Sequence, residues 1–212
     1  MSETAESPRR THIVEAAGRL FRASGFRAVT MEAIAAEAGV AKATLYSYFS
    51  DKNTVFAAVA DHVTRLIAHA LERGLAGKGD VDERMARGLI ERHQRIFQLV
   101  DGSSHARELM KARDSFARAP VEKIDARMIE AIAAVLREDP VFSRSADSIA
   151  RTLFRACVGV SGLARSVDEV EIEIGNFVRP YLLGLRTMSI RDERRADMAG
   201  GSPRKARMSG RG

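Results

Sequence analysis

The 212-residue chain has one cysteine, Cys157, no tryptophan and three tyrosines. A single cysteine excludes a disulfide-stabilised scaffold and a cysteine-rich zinc site. The apolar runs are far shorter than the roughly 18–20 residues that span a bilayer, so we expect no membrane partner. The first ten residues are polar and carry charges of both signs, unlike a signal peptide, so we expect a cytoplasmic protein.

Sequence signatures of catalysis are also missing. The five histidines show no His-x-x-x-His spacing, and the chain has no Gly-x-Ser-x-Gly motif, phosphate loop or dinucleotide fingerprint. We therefore predict that the protein is not an enzyme and binds no metal or cofactor. His62 and His69 lie seven residues apart and could share a helix face, which leaves a metal site open as an alternative.

The net charge of +6 is spread unevenly along the chain. Residues 9–56 hold seven basic and four acidic side chains, residues 57–189 hold 20 and 19, and residues 190–212 hold seven and three. The net charge and a pI of about 9.9 favour a nucleic-acid partner, and the location of the basic excess at the two ends indicates how the chain is organised. Residues 190–212 are rich in Arg, Gly and Ser without apolar periodicity, which predicts a basic disordered tail.

Apolar residues repeat at helical spacing along most of the chain, and alternating strand patterns of useful length are missing. This periodicity predicts an all-α protein. Residues 74–80 are glycine-rich and predict a turn, and Pro180 predicts a kink or a boundary in the last helix. After about residue 80 the predicted helices cover residues 81–100, 104–115, 121–137, 145–166 and 170–188.

Residues 30–52 carry the most specific pattern, TMEAIAAEAGVAKATLYSYFSDK. Thr30 is a good N-cap for the first of two short helices, which meet at Gly39. A helix-turn-helix needs a small residue such as Ala35 for close approach of the helices, and Gly39 supplies the left-handed turn that a Cβ would oppose. Leu45 is predicted to anchor the second helix to the core. An Ala/Gly pair at this spacing also occurs in helical hairpins that bind nothing.

Together with the preceding LFRASGF, this segment resembles the DNA-binding domain of TetR-type bacterial transcriptional regulators, over residues 13 to about 59. Ala41 and Ala43 stand where Ser and Gly are common in that family, and Asn53 replaces the usual Glu. The resemblance implies a three-helix helix-turn-helix domain over residues 9–55. It further implies a helical ligand-binding and dimerisation domain of about six helices over residues 56–189.

The resemblance also implies which side chains meet DNA. Those expected at phosphates are Thr30, Tyr46, Tyr48 and Lys52. Those expected at base edges are Lys42, Ala43, Thr44 and Ser47, with the Ala43 methyl available to a thymine methyl. Tyr46 could instead pack mainly in the core, since tyrosine often has both roles.

A single helix-turn-helix reads few base pairs, so useful affinity requires two half-sites and a homodimer. Small and apolar residues near the C-terminus predict a helix–helix interface between two copies. Its predicted residues are Phe154, Val158, Gly162, Phe177, Tyr181 and Leu185. The same helices could instead only close the core of a monomer.

Members of the family that this sequence resembles usually bind a small molecule between the C-terminal helices, so we expect an unknown small-molecule effector. The candidate ligand contacts are polar or aromatic residues on otherwise apolar faces, namely His62, His93, Phe97, His105, Arg113, Phe116 and Cys157. Each could instead be an ordinary core or surface residue. Arg113 with Phe116 hints at an amphiphilic or anionic ligand.

These observations predict a ligand-responsive homodimeric repressor that binds a pseudo-palindromic operator on double-stranded DNA. The alternative is a nucleoid or adaptor protein without a sensing function, in which the basic tail dominates DNA affinity. In the first case, deletion of residues 190–212 is expected to weaken binding to all sequences alike.

Overall fold

A computed structural model describes residues 7–100, 105 and 118–200, and every regular element in that part of the chain is helical, which confirms the all-α prediction. A 3-10 turn at Ser161–Leu163 follows the eighth helix. The predicted helix over residues 104–115 lies outside the described residues except for His105. The helices are α1 (Pro8–Ala28), α2 (Met31–Glu37), α3 (Lys42–Tyr48), α4 (Lys52–Ala76), α5 (Val81–Val100), α6 (Arg118–Leu136), α7 (Pro140–Ser143), α8 (Ala146–Val160) and α9 (Val167–Gly200).

The first three helices pack with the start of α4 around a small aromatic and aliphatic core. Phe21 is fully buried, and its ring centroid lies 5.6 Å from that of Phe56 in an edge-on arrangement. Ile34 from α2 and Leu45 from α3 are also fully buried in this cluster. Leu45 therefore anchors α3 to the core, as the sequence predicted.

Helix α4 belongs to both cores. Val55 and Phe56 lie in the N-terminal core, whereas Ile67 and Leu71 lie in the second one. Val63 packs against both. With 25 residues the helix is about 37 Å long, so it connects the two domains as one continuous element.

The second core forms where α4 and α5 pack closely against each other. A Cβ added to Gly74 would lie 2.5 Å from the Cα atom of Gly88, so the two helices meet backbone to backbone. The prediction that the turn begins at residue 74 is wrong, because α4 continues to Ala76. Gly74 is a packing residue of the helix, and its small size is needed for contact with α5.

Helix α9 runs antiparallel to α5. Near its start, Glu171 accepts a hydrogen bond of 3.4 Å from Gln94. Further along, the Arg186 guanidinium lies 2.8 Å from Asp82 Oδ1 and 2.7 Å from Asp139 Oδ2. These contacts place the C-terminal half of α9 beside the start of α5, which is the end of the second domain opposite α1–α3.

Two predictions about the C-terminal region meet the structure differently. Pro180 lies inside one continuous helix, α9, so the boundary predicted as one alternative is wrong, and the kink stays a prediction. The disordered tail is wrong for residues 190–200, because α9 continues to Gly200. Arg, Glu and Ala are strong helix formers, and extending an existing helix fixes one residue per added hydrogen bond, so low apolar content did not end it. Residues 201–212 lie outside the described part.

Candidate nucleic-acid interface

The turn between α2 and α3 has the geometry of a helix-turn-helix. The Thr30 hydroxyl oxygen accepts a hydrogen bond of 3.1 Å from the Ala33 backbone N–H and caps α2. Gly39 adopts φ 61°, and a Cβ there would meet nothing within 4 Å. Glycine is thus required by the backbone conformation and not by lack of space. The Val40 N–H then closes the turn on the Ala35 carbonyl at 3.0 Å.

Helix α3 presents nearly all of its side chains to solvent. Leu45 is its buried anchor, while Tyr46 is 44% exposed and Tyr48 is 36% exposed. The exposure of Tyr46 does not support a mainly core role. The Ser47 hydroxyl donates to the Thr44 carbonyl at 2.7 Å, which leaves its oxygen lone pairs free to accept from a base. Ala43 is exposed on the same short helix.

Lys42 forms an ion pair across the two helices. Its Nζ lies 2.5 Å from Glu32 Oε1 and 5.9 Å from the centroid of the Tyr46 ring. The hydrogen bond with Glu32 raises the pKa of Lys42 and lowers the pKa of the Glu32 carboxyl. Glu32 is missing from the predicted site because no sequence motif reports a pair that spans ten residues and two helices.

Lys52 has backbone partners instead of a solvent-facing position. Its ammonium donates to the carbonyl oxygens of Phe26 at 2.9 Å and Val29 at 2.8 Å, with Arg27 at 3.4 Å. It also lies 4.5 Å from the Phe26 ring centroid. An ammonium has three N–H donors, and all three are directed at the end of α1. Lys52 therefore ties α4 to α1 in this structure, and its phosphate contact stays a prediction.

The first turn of α4 is capped independently of position 53. Asp51 accepts a hydrogen bond of 2.9 Å from the Thr54 backbone N–H, and the Thr54 hydroxyl oxygen accepts from the Asp51 N–H at 3.3 Å. This reciprocal capping box lowers the pKa of Asp51. Asn53, the departure from the family pattern, therefore leaves the start of α4 intact.

Two predicted ligand residues face the N-terminal domain. Gly25 interrupts α1 with φ 77° and ψ 159°, and a Cβ there would lie 2.9 Å from His105 Nδ1. The His105 ring therefore rests against the backbone of Gly25. His62 Nε2 lies 4.0 Å from Glu15 Oε1 of α1, and burial lowers the pKa of His62. Both histidines mark contacts between the two domains, where the sequence predicted a ligand pocket.

His93 and Cys157 belong to one buried polar chain in the second core. An Arg92 Nη1 donor lies 2.7 Å from His93 Nε2, and His93 Nδ1 lies 2.7 Å from the Ser161 hydroxyl. That hydroxyl donates to the Cys157 carbonyl at 2.9 Å. Since arginine only donates, His93 is neutral and carries its proton on Nδ1. The Arg92 guanidinium also stacks 4.3 Å above the Phe154 ring centroid.

The pKa values of His93 and Cys157, both in this buried polar chain, are shifted mainly by burial. Burial, assisted by the Arg92 charge, lowers the pKa of His93 to about 3. Burial raises the pKa of the Cys157 thiol to about 12. Arg92 and Ser161 were absent from the predicted site because hydropathy patterns give no sign that a charged side chain turns inward. Phe97 is half-buried against the same core, and Arg113 and Phe116 lie outside the described residues.

The predicted dimer residues fall into three groups by burial. Phe154 is buried beneath Arg92 and is not available to a partner. Phe177, Tyr181 and Leu185 are half-buried against the second core, and the rings of the first two stack at 5.7 Å. The predicted residues that face solvent are Val158 and Gly162. Apolar side chains that the sequence did not single out also face solvent on α9, namely Ile172, Leu183 and Met188.

Within the described residues, no group of three or more His, Cys, Asp or Glu side chains could hold a metal ion. His69 Nδ1 lies 3.3 Å from Glu72, whereas His62 faces Glu15 on α1, so the two histidines do not share a site. No helix in that same part of the chain is both long and apolar enough to cross a membrane.

Comparison with known proteins gives the following similarities. Residues 13–59 match the model of the family described as bacterial regulatory proteins, tetR family. A TetR-like transcriptional regulator from a Rhodococcus species is 23% identical, with a TM-score of 0.58 over 86% of this chain and 100% of that chain. The TetR family repressor AlkX from a Dietzia species, implicated in biodegradation of n-alkanes, is 21% identical, with a TM-score of 0.53 over 84% and 96%.

The transcriptional regulator FadR from Bacillus subtilis, solved in complex with stearoyl-CoA, is 16% identical. It has a TM-score of 0.55 over 79% of this chain and 96% of that chain. At these identities the likeness shows the fold alone. No curated protein matches the sequence.

Proposed function

We propose that the chain is a ligand-responsive TetR-type repressor that binds operator DNA as a homodimer, and the match of residues 13–59 to the tetR family model supports this proposal. The observation that carries the proposal is the exposed helix α3, held to the core by Leu45 and presented by the Gly39 turn. A seven-residue helix with an outward polar face fits the major groove of B-form DNA.

The exposed side chains of the helix-turn-helix fall into two groups, those that can reach base edges and those that can reach phosphates. Thr44 and Ser47, with Ala43, supply hydroxyl and methyl groups for base edges. Tyr46, Tyr48 and the capped start of α2 at Thr30 supply donors for the flanking phosphates. Lys42 can also reach the flanking phosphates once its ion pair with Glu32 opens.

Selection from a random duplex library tests this proposal. We expect enrichment of a pseudo-palindrome whose half-sites lie one turn, about 34–36 Å, apart. Thr44→Ala and Ser47→Ala should change which bases are enriched, whereas Tyr48→Phe should weaken binding to all sequences alike. Enrichment of a single half-site, or of no sequence at all, would overturn the homodimeric operator-binding proposal.

The dimer surface is the outer face of α8 and α9. Val158, Ile172 and Leu183 are all more than half exposed in one chain, and burial of these apolar side chains against a second copy would be favourable. A Cβ at Gly162 would meet nothing within 4 Å, so this position is uncovered in one chain, and glycine adds no side chain that would hold a second copy away. The symmetric arrangement is a two-fold pair of α8 and α9.

The effector is a small molecule bound in the second core, beside the buried chain of Arg92, His93 and Ser161. Support comes from the rarity of such polar chains in apolar cores and from FadR of Bacillus subtilis, which was solved with stearoyl-CoA. A panel of acyl-CoAs in a thermal-shift assay is the first test. A stabilising ligand should weaken operator binding, with a coupling of about 1–3 kcal/mol.

The tail-dominated alternative has no comparable support. Helix α9 passes Arg186, beside the start of α5, and continues for a further 14 residues, or about 21 Å. It therefore leads away from α1–α3. With operator DNA as its partner, the protein acts in the bacterial cytoplasm.

A further inference from the structure

The ion pair between Glu32 and Lys42 joins the first turns of α2 and α3. The carboxylate and ammonium lie 2.5 Å apart, and the two side chains are 59% and 60% exposed. The contact is therefore on the surface that faces DNA in the proposed function, and neither side chain is held by burial. It is a bond that DNA phosphates can compete for directly.

The charge around this pair is unusual for a DNA-reading element. Residues 31–48, which cover α2, the turn and α3, contain one cation, Lys42, and two acidic side chains, Glu32 and Glu37. Glu37 is occupied elsewhere, since its Oε1 accepts a hydrogen bond of 2.9 Å from Arg19 Nε on α1. Glu32 thus neutralises the sole positive charge of the reading element.

Neutralising that cation has a specific consequence for binding. Sequence-independent affinity for DNA comes almost entirely from cations that displace counterions from phosphates. A carboxylate 2.5 Å from the ammonium offsets its charge, so the pair together releases few counterions from a phosphate. The hydroxyls and methyl groups of α3 gain no such general attraction, so they act only where the bases match.

We infer that Glu32 is a specificity-determining residue, which holds Lys42 back from the phosphates of non-operator DNA. This inference rests on the proposed function, because it assumes that α3 faces DNA. Glu32 acts through Lys42 and needs no base contact of its own. Without Glu32, Lys42 is free to neutralise one additional phosphate on any sequence.

The test measures binding of the full chain to a 30-base-pair fluorescent duplex of arbitrary sequence, by anisotropy, between 50 and 200 mM salt. For E32Q we expect tighter binding and a plot of log affinity against log salt that is steeper by about 0.9. The affinity ratio of E32Q to wild type should therefore be about 3.5-fold larger at 50 mM than at 200 mM salt.

Two further variants isolate the cause. In a K42Q background, adding E32Q should leave the slope unchanged, because the cation it releases is gone. E37Q removes the same charge from the other end of α2 but releases Arg19 on α1, so any change of slope that it causes should persist in the K42Q background. Equal slopes for wild type and E32Q, or the same increase in the K42Q background, would overturn the role of Glu32. If the wild type binds the duplex in a salt-dependent way, the proposed function stands whether or not Glu32 has this role. If neither the wild type nor any variant binds the duplex, the role of Glu32 and the proposed function are both overturned.

Discussion

Replacing Gly74 by alanine tests the contact that holds the second domain together. On α4, an added Cβ would lie 2.5 Å from Gly88 Cα, 2.7 Å from Gly88 N and 2.9 Å from the Arg87 carbonyl carbon. All three atoms are backbone atoms of α5, so no side-chain rotation relieves the clash. The helices must separate by about 1 Å to restore ordinary contact distances near 3.5–4 Å.

Two opposing terms set the size of the effect. Overpacking of a tightly packed core costs about 1–3 kcal/mol, and here the displaced group is a whole helix that carries Met85 and Leu89 in the core. Alanine in a helix interior gains about 0.5–1 kcal/mol over glycine. Subtracting the second term from the first leaves a net loss of up to about 2.5 kcal/mol in the free energy of unfolding, which lowers Tm by up to about 10 °C for a chain of this size.

The measurement is thermal unfolding followed by far-ultraviolet circular dichroism, with Gly18→Ala as the matched control. Gly18 is also a buried helical glycine, but a Cβ there would lie 3.5 Å from Val59 Cγ1, which is ordinary contact. Gly18→Ala should therefore raise Tm slightly. A Gly74→Ala protein at least as stable as the wild type would refute the backbone-to-backbone packing of α4 and α5.

Other predictions concern stability, pH dependence, assembly and the tail. Arg186→Met should destabilise the fold by about 1–3 kcal/mol in denaturant unfolding, because it leaves the partly exposed carboxylates of Asp82 and Asp139 without their shared cation. His93 has its folded pKa lowered to about 3 from 6.5, so the unfolded chain binds more protons between these values. Stability should fall as pH drops below about 6.5, and His93→Gln should flatten that part of the pH profile. Leu183→Asp should convert a dimer to a monomer in sedimentation velocity while the helical content is retained. Deletion of residues 201–212 should leave operator affinity unchanged, whereas the sequence alone predicts a uniform loss on deletion of residues 190–212. A loss of affinity that is equal on all sequences would show that residues 201–212 reach DNA.

The structure of the helix-turn-helix, α2 and α3, could be predicted because the sequence features that determine it are local. Thr30 caps α2 within three residues, Gly39 fixes a turn by its own φ, and Leu45 is set by helical periodicity. Helix α5 likewise has the bounds expected from its apolar spacing. In each case the residues that decide the structure lie within one or two helical turns of each other.

What escaped prediction depends on contacts between distant residues. Gly74 looks like a turn residue until α5 is placed against it, and Lys52 looks like a phosphate ligand until the end of α1 is placed beneath it. Helical spacing shows which face of α5 is apolar, but not that Arg92 turns inward onto Phe154. Hydrophobic periodicity describes one helix at a time, whereas the roles of Gly74, Lys52 and Arg92 depend on contacts with residues of another helix.

The same contacts between distant residues could transmit a displacement from the proposed effector site to α2 and α3. The segment from Gly25 to Val29 is held on one side by His105 and on the other by the three carbonyl bonds of Lys52. Its next residue, Thr30, caps α2. A displacement of α4 along α1 must therefore either break the Lys52 bonds or carry this segment, and α2 with it. Because three hydrogen bonds to a charged donor are costly to break together, we expect the segment to move as a unit, so that sub-ångström shifts in the second core reach α3 through backbone rather than through side chains.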